Sequence, residues 1–158
     1  MSKSLTRVKR HLAELGLDID ILHVTVPTNT AQQAADVVGC QVDQIAKSVI
    51  FRAEDSGQAV LFLTAGGNRV DIAAASALAG TALGKADAAL IRAQTGFAIG
   101  GVSPFGHLQP IRAFMDPRLA EFSAIWAAAG TPHHMFSIAP DVLIAKTGAT
   151  VAAFTDSG

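Results

Sequence analysis

KSVIFRAEDSGQAVLFLTA, residues 47 to 65, decides the fold. Two apolar runs of strand length, KSVIFRA and QAVLFLTA, flank the turn EDSG. Val, Ile, Leu and Phe fill both runs, with no helical spacing between them. The stretch reads as a β-hairpin in a buried sheet. Lys47 stands at its head, where a long ammonium-tipped side chain either snorkels to water or meets a phosphate or carbonyl oxygen at a pocket mouth.

Working outward, the flanks alternate helix and strand. Leu5, Val8, Leu12 and Leu15 recur at spacings of three and four, an amphipathic helix ended by Gly16. Its other face carries Lys3, Arg7, Lys9 and Arg10, which form either a solvated face or a phosphate-facing patch. Residues Ile19 to Val26 alternate well enough for a strand stopped by Pro27. Thr30 suits the N-cap of AQQAADVV and Gly39 its C-cap. Beyond the hairpin, Gly66-Gly67-Asn68 is a turn, Asp71 caps IAAASALAG, and Asp87 opens a helix that ends at Thr95-Gly96. Strands are expected over Ile111 to Met115, Ser123 to Ala128, His133 to Ile138 and Val151 to Phe154. Pro140 suits the first turn of a last helix. Interleaved helices and strands define an α/β (α+β-like) class, a single domain over residues 1–158 built around one mixed sheet.

Composition narrows the function. Half of the 158 residues are hydrophobic, ample for one core. No apolar run approaches the roughly 20 residues of a bilayer span, and MSKSLTRVKRHL lacks the apolar stretch of a signal peptide. A lone cysteine, Cys40, excludes an internal disulfide framework. A cytoplasmic protein is expected. A net charge of −1 argues against a protein that coats nucleic acid, though not against one that grips a single RNA end.

Elimination leaves two features. The five histidines form no HxxxH pair, and His133 and His134, adjacent in a strand, point to opposite faces, so no metal site is expected. GTALGK, residues 80 to 85, is a residue short of a Walker loop and is followed by Ala86 where Ser or Thr belongs. No GxGxxG follows a strand, so no dinucleotide cofactor is expected. Cys40 reads as a packing residue, and Ser103 is followed by proline rather than set in a GxSxG elbow. What remains is Lys47 and IGGVSPFGH, residues 99 to 107. Gly100 to Gly106 reads as a rigid loop with exposed amides, either a plain turn or a grip on a ligand. Together, loop amides and a lysine suit the polarisation of an ester carbonyl.

QIAKSVIF, then GGVSPFGH, then AGTPHH is similar to the YbaK/prolyl-tRNA synthetase-associated domain family, free-standing relatives of an editing domain. The likeness runs from about Ala34 to the C-terminus. It implies a curved mixed sheet flanked by helices, and hydrolysis in trans of the ester on a mischarged tRNA, most often tRNA(Pro), without a cofactor. It implies that Lys47 contacts the terminal adenosine, its phosphate or the scissile ester. Gly100 and Gly101 would present amides to the aminoacyl carbonyl. Ser103, Pro104 and Gly106 would shape the loop and help hold the substrate, and His107 would either orient water or RNA or simply pack. The nucleophile would be an ordered water or the substrate's own side chain. The aromatic and acidic residues of cysteine-specific members find no match here, so the amino acid removed stays unassigned. The mischarged tRNA is the expected partner, with prolyl-tRNA synthetase beside it. A non-catalytic module for tRNA ends and a hydrolase of another small ester remain the alternatives.

Overall fold

Residues 2–156 are described by a computed structural model, and they begin with the helix that the leucine spacing requires. In α1 (Lys3–Glu14) the Ser2 hydroxyl accepts from the amides of Ser4 and Leu5, and Leu5, Val8 and Leu12 are buried. The strand expected over residues 19–26 shrinks to β1 (Leu22–His23). The reason is packing: Ile19 and Ile21 lean on the core while Val26 is exposed, so the segment has no one buried face to keep in register. α2 (Ala31–Val38) starts with a full capping box between Thr30 and Gln33 and ends at Gly39 in the left-handed region.

The hairpin forms as expected. β2 (Ala46–Ala53) pairs antiparallel with β3 (Ala59–Ala65), Lys47 opposite Thr64, and every residue of β3 is buried. α3 (Ile72–Ala79) is capped by the Asp71 carboxylate. β4 (Leu83–Lys85) is a strand that the sequence reading did not anticipate, within the GTALGK stretch. α4 (Ala88–Thr95), β5 (Arg112–Met115), β6 (Ile125–Ala128), β7 (His134–Ile138), α5 (Pro140–Thr147) and β8 (Thr150–Val151) complete the order. The closing strand is thus shorter and earlier than residues 151 to 154, and His133 precedes β7 rather than lying in it.

The single mixed sheet is corrected to two. One is five-stranded, in the order β4-β2-β3-β5-β8, with parallel β3–β5 and β5–β8 pairs beside antiparallel ones. The other is three-stranded and antiparallel, in the order β1-β7-β6. They meet at one parallel bridge, Ile45 to Trp126. Alternation along β3 sends Leu61 and Leu63 into the larger core with α1 and α5, and Phe62 into a second cluster with Phe114, Phe154 and α3. Phe62 stacks 5.2 Å from Phe114 and meets Phe154 edge-on at 4.9 Å. No helix among the described residues is long and apolar enough to cross a membrane.

This topology creates the site. β4 pairs only with Phe51, Arg52 and Ala53, so β4 leaves the first half of β2 uncovered on that side. An uncovered strand edge offers backbone donors and acceptors to whatever lies against it. The gap opens there, between the two sheets.

Candidate active site

A cavity of about 270 Å³ occupies that gap. β2 supplies one wall from Ala46 to Val49, β6 and β7 supply Ala128 and Met135, and α2 with the residues before it supplies Thr28, Asn29 and Ala34. The fourth side is the glycine loop, through Ile99, Gly100 and Val102. The structure therefore brings Lys47 and Gly100 together.

Lys47 is half-buried, and its ammonium donates to the Gly66 carbonyl at 3.3 Å. Burial and then the nearby Arg69 guanidinium push its pKa down, while Asp43 and Asp116 pull the other way. Neither acid pairs with it. Asp43 is tied to Arg118 at 3.0 Å and to the Gly67 amide. Buried Asp116 accepts from the Ala65 amide, the Asn68 side chain and the Arg118 amide. An ammonium with three donors and one carbonyl partner keeps donors free for a substrate oxygen.

The loop divides its residues by role. Gly100 has φ 92 and meets no atom but Asn29 Oδ1, at 3.9 Å, where a side chain would start. Among the described residues its amide has no acceptor. Gly101 differs from expectation, because its amide already donates to the Ala98 carbonyl at 3.1 Å. A Cβ there would lie 2.9 Å from Thr131 Cα and 3.0 Å from the Gly130 carbonyl, so Gly101 is the point where two backbones touch.

Ser103, Pro104, Gly106 and His107 do not line the Lys47 cavity. Ser103 is fully buried, and its hydroxyl accepts from the Phe105 amide, fixing the turn. Pro104 and His107 line a separate hollow of about 380 Å³ with His11, Phe105 and Lys146. Gly106 is held by α1: Arg7 Nε donates to its carbonyl, and its amide donates to His11 Nδ1 at 2.7 Å. Arg7 also stacks its guanidinium over Phe97, 4.7 Å from the ring centre. It thus belongs neither to a solvated face nor to a phosphate patch, because the helix turns it onto the loop. Truncating Arg7 to alanine is expected to cost about 1–3 kcal/mol in denaturant unfolding, since the Gly106 carbonyl loses a charged donor.

His107 is largely buried against Phe97 and donates Nε2–H to the Ser103 carbonyl at 2.6 Å, which only accepts. Its Nδ1 is buried without a partner. Burial, outweighing the Ser103 hydrogen bond, holds its pKa down at about 4, against 6.5 for an ordinary imidazole. A folded pKa below the unfolded one means that the unfolded chain takes up the proton first. Stability is therefore full above about pH 6.5 and is lost as pH falls toward 4, by up to about 3 kcal/mol. Urea titrations across that window should show this slope, and His107→Leu should flatten it.

Sequence reasoning missed Ser48, Asn29 and Thr28, which all line the cavity. The Ser48 hydroxyl is buried with no partner, a state that buried polar groups rarely hold unless a ligand or water completes them. Its position next to Lys47 was the available signal; Thr28 and Asn29 arrive only through the fold. Among the described residues no cluster of three or more His, Cys, Asp or Glu side chains could hold a metal.

Residues 25–146 match the model of the aminoacyl-tRNA editing domain. The chain belongs to the aminoacyl-tRNA editing domain family. It is 41% identical to a solved structure described as a candidate trans-editing enzyme for prolyl tRNA synthetase, over 99% of both chains, with a TM-score of 0.93. The structure of hypothetical protein APE2540 is 26% identical over 95% of this chain and 99% of its own, with a TM-score of 0.87. The uncharacterized protein YwhH of Bacillus subtilis (strain 168) is 29% identical over 89% of this chain and 88% of its own length.

Proposed function

We propose that the chain is a hydrolase that removes the wrong amino acid from a mischarged tRNA in trans, with tRNA(Pro) as its substrate. The observation that carries the reading is the meeting of Lys47 and Gly100 across one cavity beside a free strand edge. Family membership supports the chemistry. The tRNA is proposed from the prolyl tRNA synthetase named for the 41% identical structure. Charged tRNA is cytoplasmic, and the proposal places the chain there, with prolyl-tRNA synthetase as the source of its substrate.

The mechanism is positioning. The Lys47 ammonium holds the terminal adenosine or the ester, and the Gly100 amide donates to the aminoacyl carbonyl as it becomes an oxyanion. An ordered water attacks the carbonyl carbon, the ester C–O bond breaks, and the ribose oxygen takes the proton. Holding the ester still in a small cavity supplies rate without a protein nucleophile. Gly101, Ser103, Pro104, Gly106 and His107 keep the loop in shape, with Gly101 backing Gly100 rather than donating to the carbonyl. The walls are small, with Ala31, Ala34, Ala46 and Ala128 among them, which fits a small aminoacyl group.

The test is a deacylation time course on Ala-, Cys-, Ser- and Pro-tRNA(Pro). Rapid loss of one wrong ester with Pro-tRNA(Pro) spared is the expected outcome and names the substrate. Hydrolysis of none of them would overturn the tRNA(Pro) assignment.

A further inference from the structure

Ser48 breaks the pattern of its own strand. Side chains alternate along β2: Ala46 and Ile50 belong to the larger core, while Val49 and Phe51 pack on the second cluster. Ser48 lies in the first row, opposite Leu63, which is fully buried in that core. An apolar row thus carries one hydroxyl, and it falls where the row passes the cavity. The hydroxyl oxygen is buried and has no partner among the described residues. A buried polar group left unmet lowers stability, and alanine at 48 would remove that cost. A residue that breaks the local rule at the expense of the fold is the mark of a functional position.

The cavity is graded from mouth to floor. Asn29, Ile99 and Gly100 are exposed at the mouth, and Ala34, Ile45, Val102 and Met135 are buried at the floor. An ester gripped by Lys47 and Gly100 leaves the bulk of the RNA outside, so its aminoacyl side chain points inward to the floor. The other hydroxyls of the lining already have partners. Thr28 donates to the Pro132 carbonyl at 2.8 Å, and Thr30 accepts from the Gln33 amide at 3.1 Å in the cap of α2. Ser48 is left with a hydroxyl that can both donate and accept, among apolar walls.

We propose that Ser48 determines specificity: its hydroxyl exchanges a hydrogen bond with a side-chain hydroxyl of the aminoacyl group, so that the ester of serine is removed in preference to that of alanine. The inference deepens the deacylase reading and rests on it for the ester and the RNA. Seryl and alanyl groups both suit the small walls, so size does not separate them. The seryl hydroxyl completes Ser48, whereas the alanyl methyl leaves it unmet. A site that holds a substrate hydroxyl rejects the analogue that lacks it, because its own polar group then stays buried and unpaired. Proline carries no hydroxyl and brings a ring, so its ester gains nothing at Ser48.

Two measurements test it. In the first, single-turnover deacylation of Ser-tRNA(Pro) and Ala-tRNA(Pro) is followed for wild type and Ser48→Ala, with thermal unfolding of both chains. Wild type should favour the seryl ester by about tenfold. Ser48→Ala should bring the two rates to within about twofold of each other and should melt no lower than wild type. In the second, calorimetry compares the binding of two adenosines, one carrying serine and one carrying alanine through a 3′ amide. The seryl ligand should bind wild type about tenfold more tightly, and Ser48→Ala should bind the two alike. A wild-type chain without the preference, or a Ser48→Ala chain that keeps it, would overturn the proposal. So would a Ser48→Ala chain that melts well below wild type, since the hydroxyl would then serve the fold. Preferential binding of the seryl ligand, lost in Ser48→Ala, with no hydrolysis of either tRNA would retain Ser48 as the selecting residue and lose the deacylase reading. Hydrolysis of both esters at equal rates would do the reverse.

Discussion

Replacing Lys47 by alanine is expected to slow ester hydrolysis by about a hundredfold or more while the chain stays folded. The size follows from what the side chain contributes. It brings the one ammonium among the cavity's lining residues, and its other charged neighbours are committed elsewhere, Asp43 to Arg118 and Asp116 to backbone and Asn68. The fold loses little, since Lys47 makes a single hydrogen bond, to Gly66, and burial already disfavours its charge. Lys47→Arg should recover little, because a planar fork does not replace a compact ammonium in a confined space. Single-turnover deacylation measured beside thermal unfolding separates the two effects. A variant that hydrolyses at the wild-type rate would remove Lys47 from the reaction.

Gly101→Ala is expected to damage both stability and turnover, and it separates the roles of the two loop glycines. Its new methyl would sit 2.9 Å from Thr131 Cα and 3.0 Å from the Gly130 carbonyl carbon, backbone atoms that cannot swing away. Overpacking of that kind costs about 1–3 kcal/mol. The loop must also lift off the 130–131 turn, carrying the Gly100 amide away from the ester, so turnover should fall about tenfold or more. Gly100→Ala meets open space instead, and its cost comes from φ 92 alone, about 1–2 kcal/mol. Comparing unfolding midpoints and kcat for the two variants checks this. A Gly101→Ala variant as stable and as active as wild type would show that the loop is not braced on the turn.

The sequence was most legible where local chemistry and long-range packing demand the same thing. Thr30, Asp71 and Asp87 cap helices as their side chains require, and the hairpin at 47–65 follows from its apolar runs. Short strands were less legible, since β1, β4 and β8 have two or three residues each and exist only through their partners. The division into two sheets rests on their meeting at a single bridge, Ile45 to Trp126, which no local pattern records. At the site, Lys47 and Gly100 line one cavity, which the sequence left open. The rest of the loop was read too uniformly. Glycine-rich sequence announces exposed amides, but it does not say which are already spent: the Gly101 amide goes to the Ala98 carbonyl and the Gly106 amide to His11 Nδ1. Arg7 was misplaced for a related reason. Helical periodicity puts it on the polar face, and only the tertiary approach of the loop turns it inward.

The most direct test of the central claim is a crystal structure of the chain with an adenosine carrying alanine through a 3′ amide, which cannot be hydrolysed as an ester is. The aminoacyl group is expected in the cavity between β2 and the loop, its carbonyl oxygen within about 3 Å of the Gly100 amide and the Lys47 ammonium within hydrogen-bond reach of the ligand. Binding in the hollow lined by Pro104 and His107, or in the cavity with Lys47 still turned to Gly66 and the carbonyl away from Gly100, would contradict it.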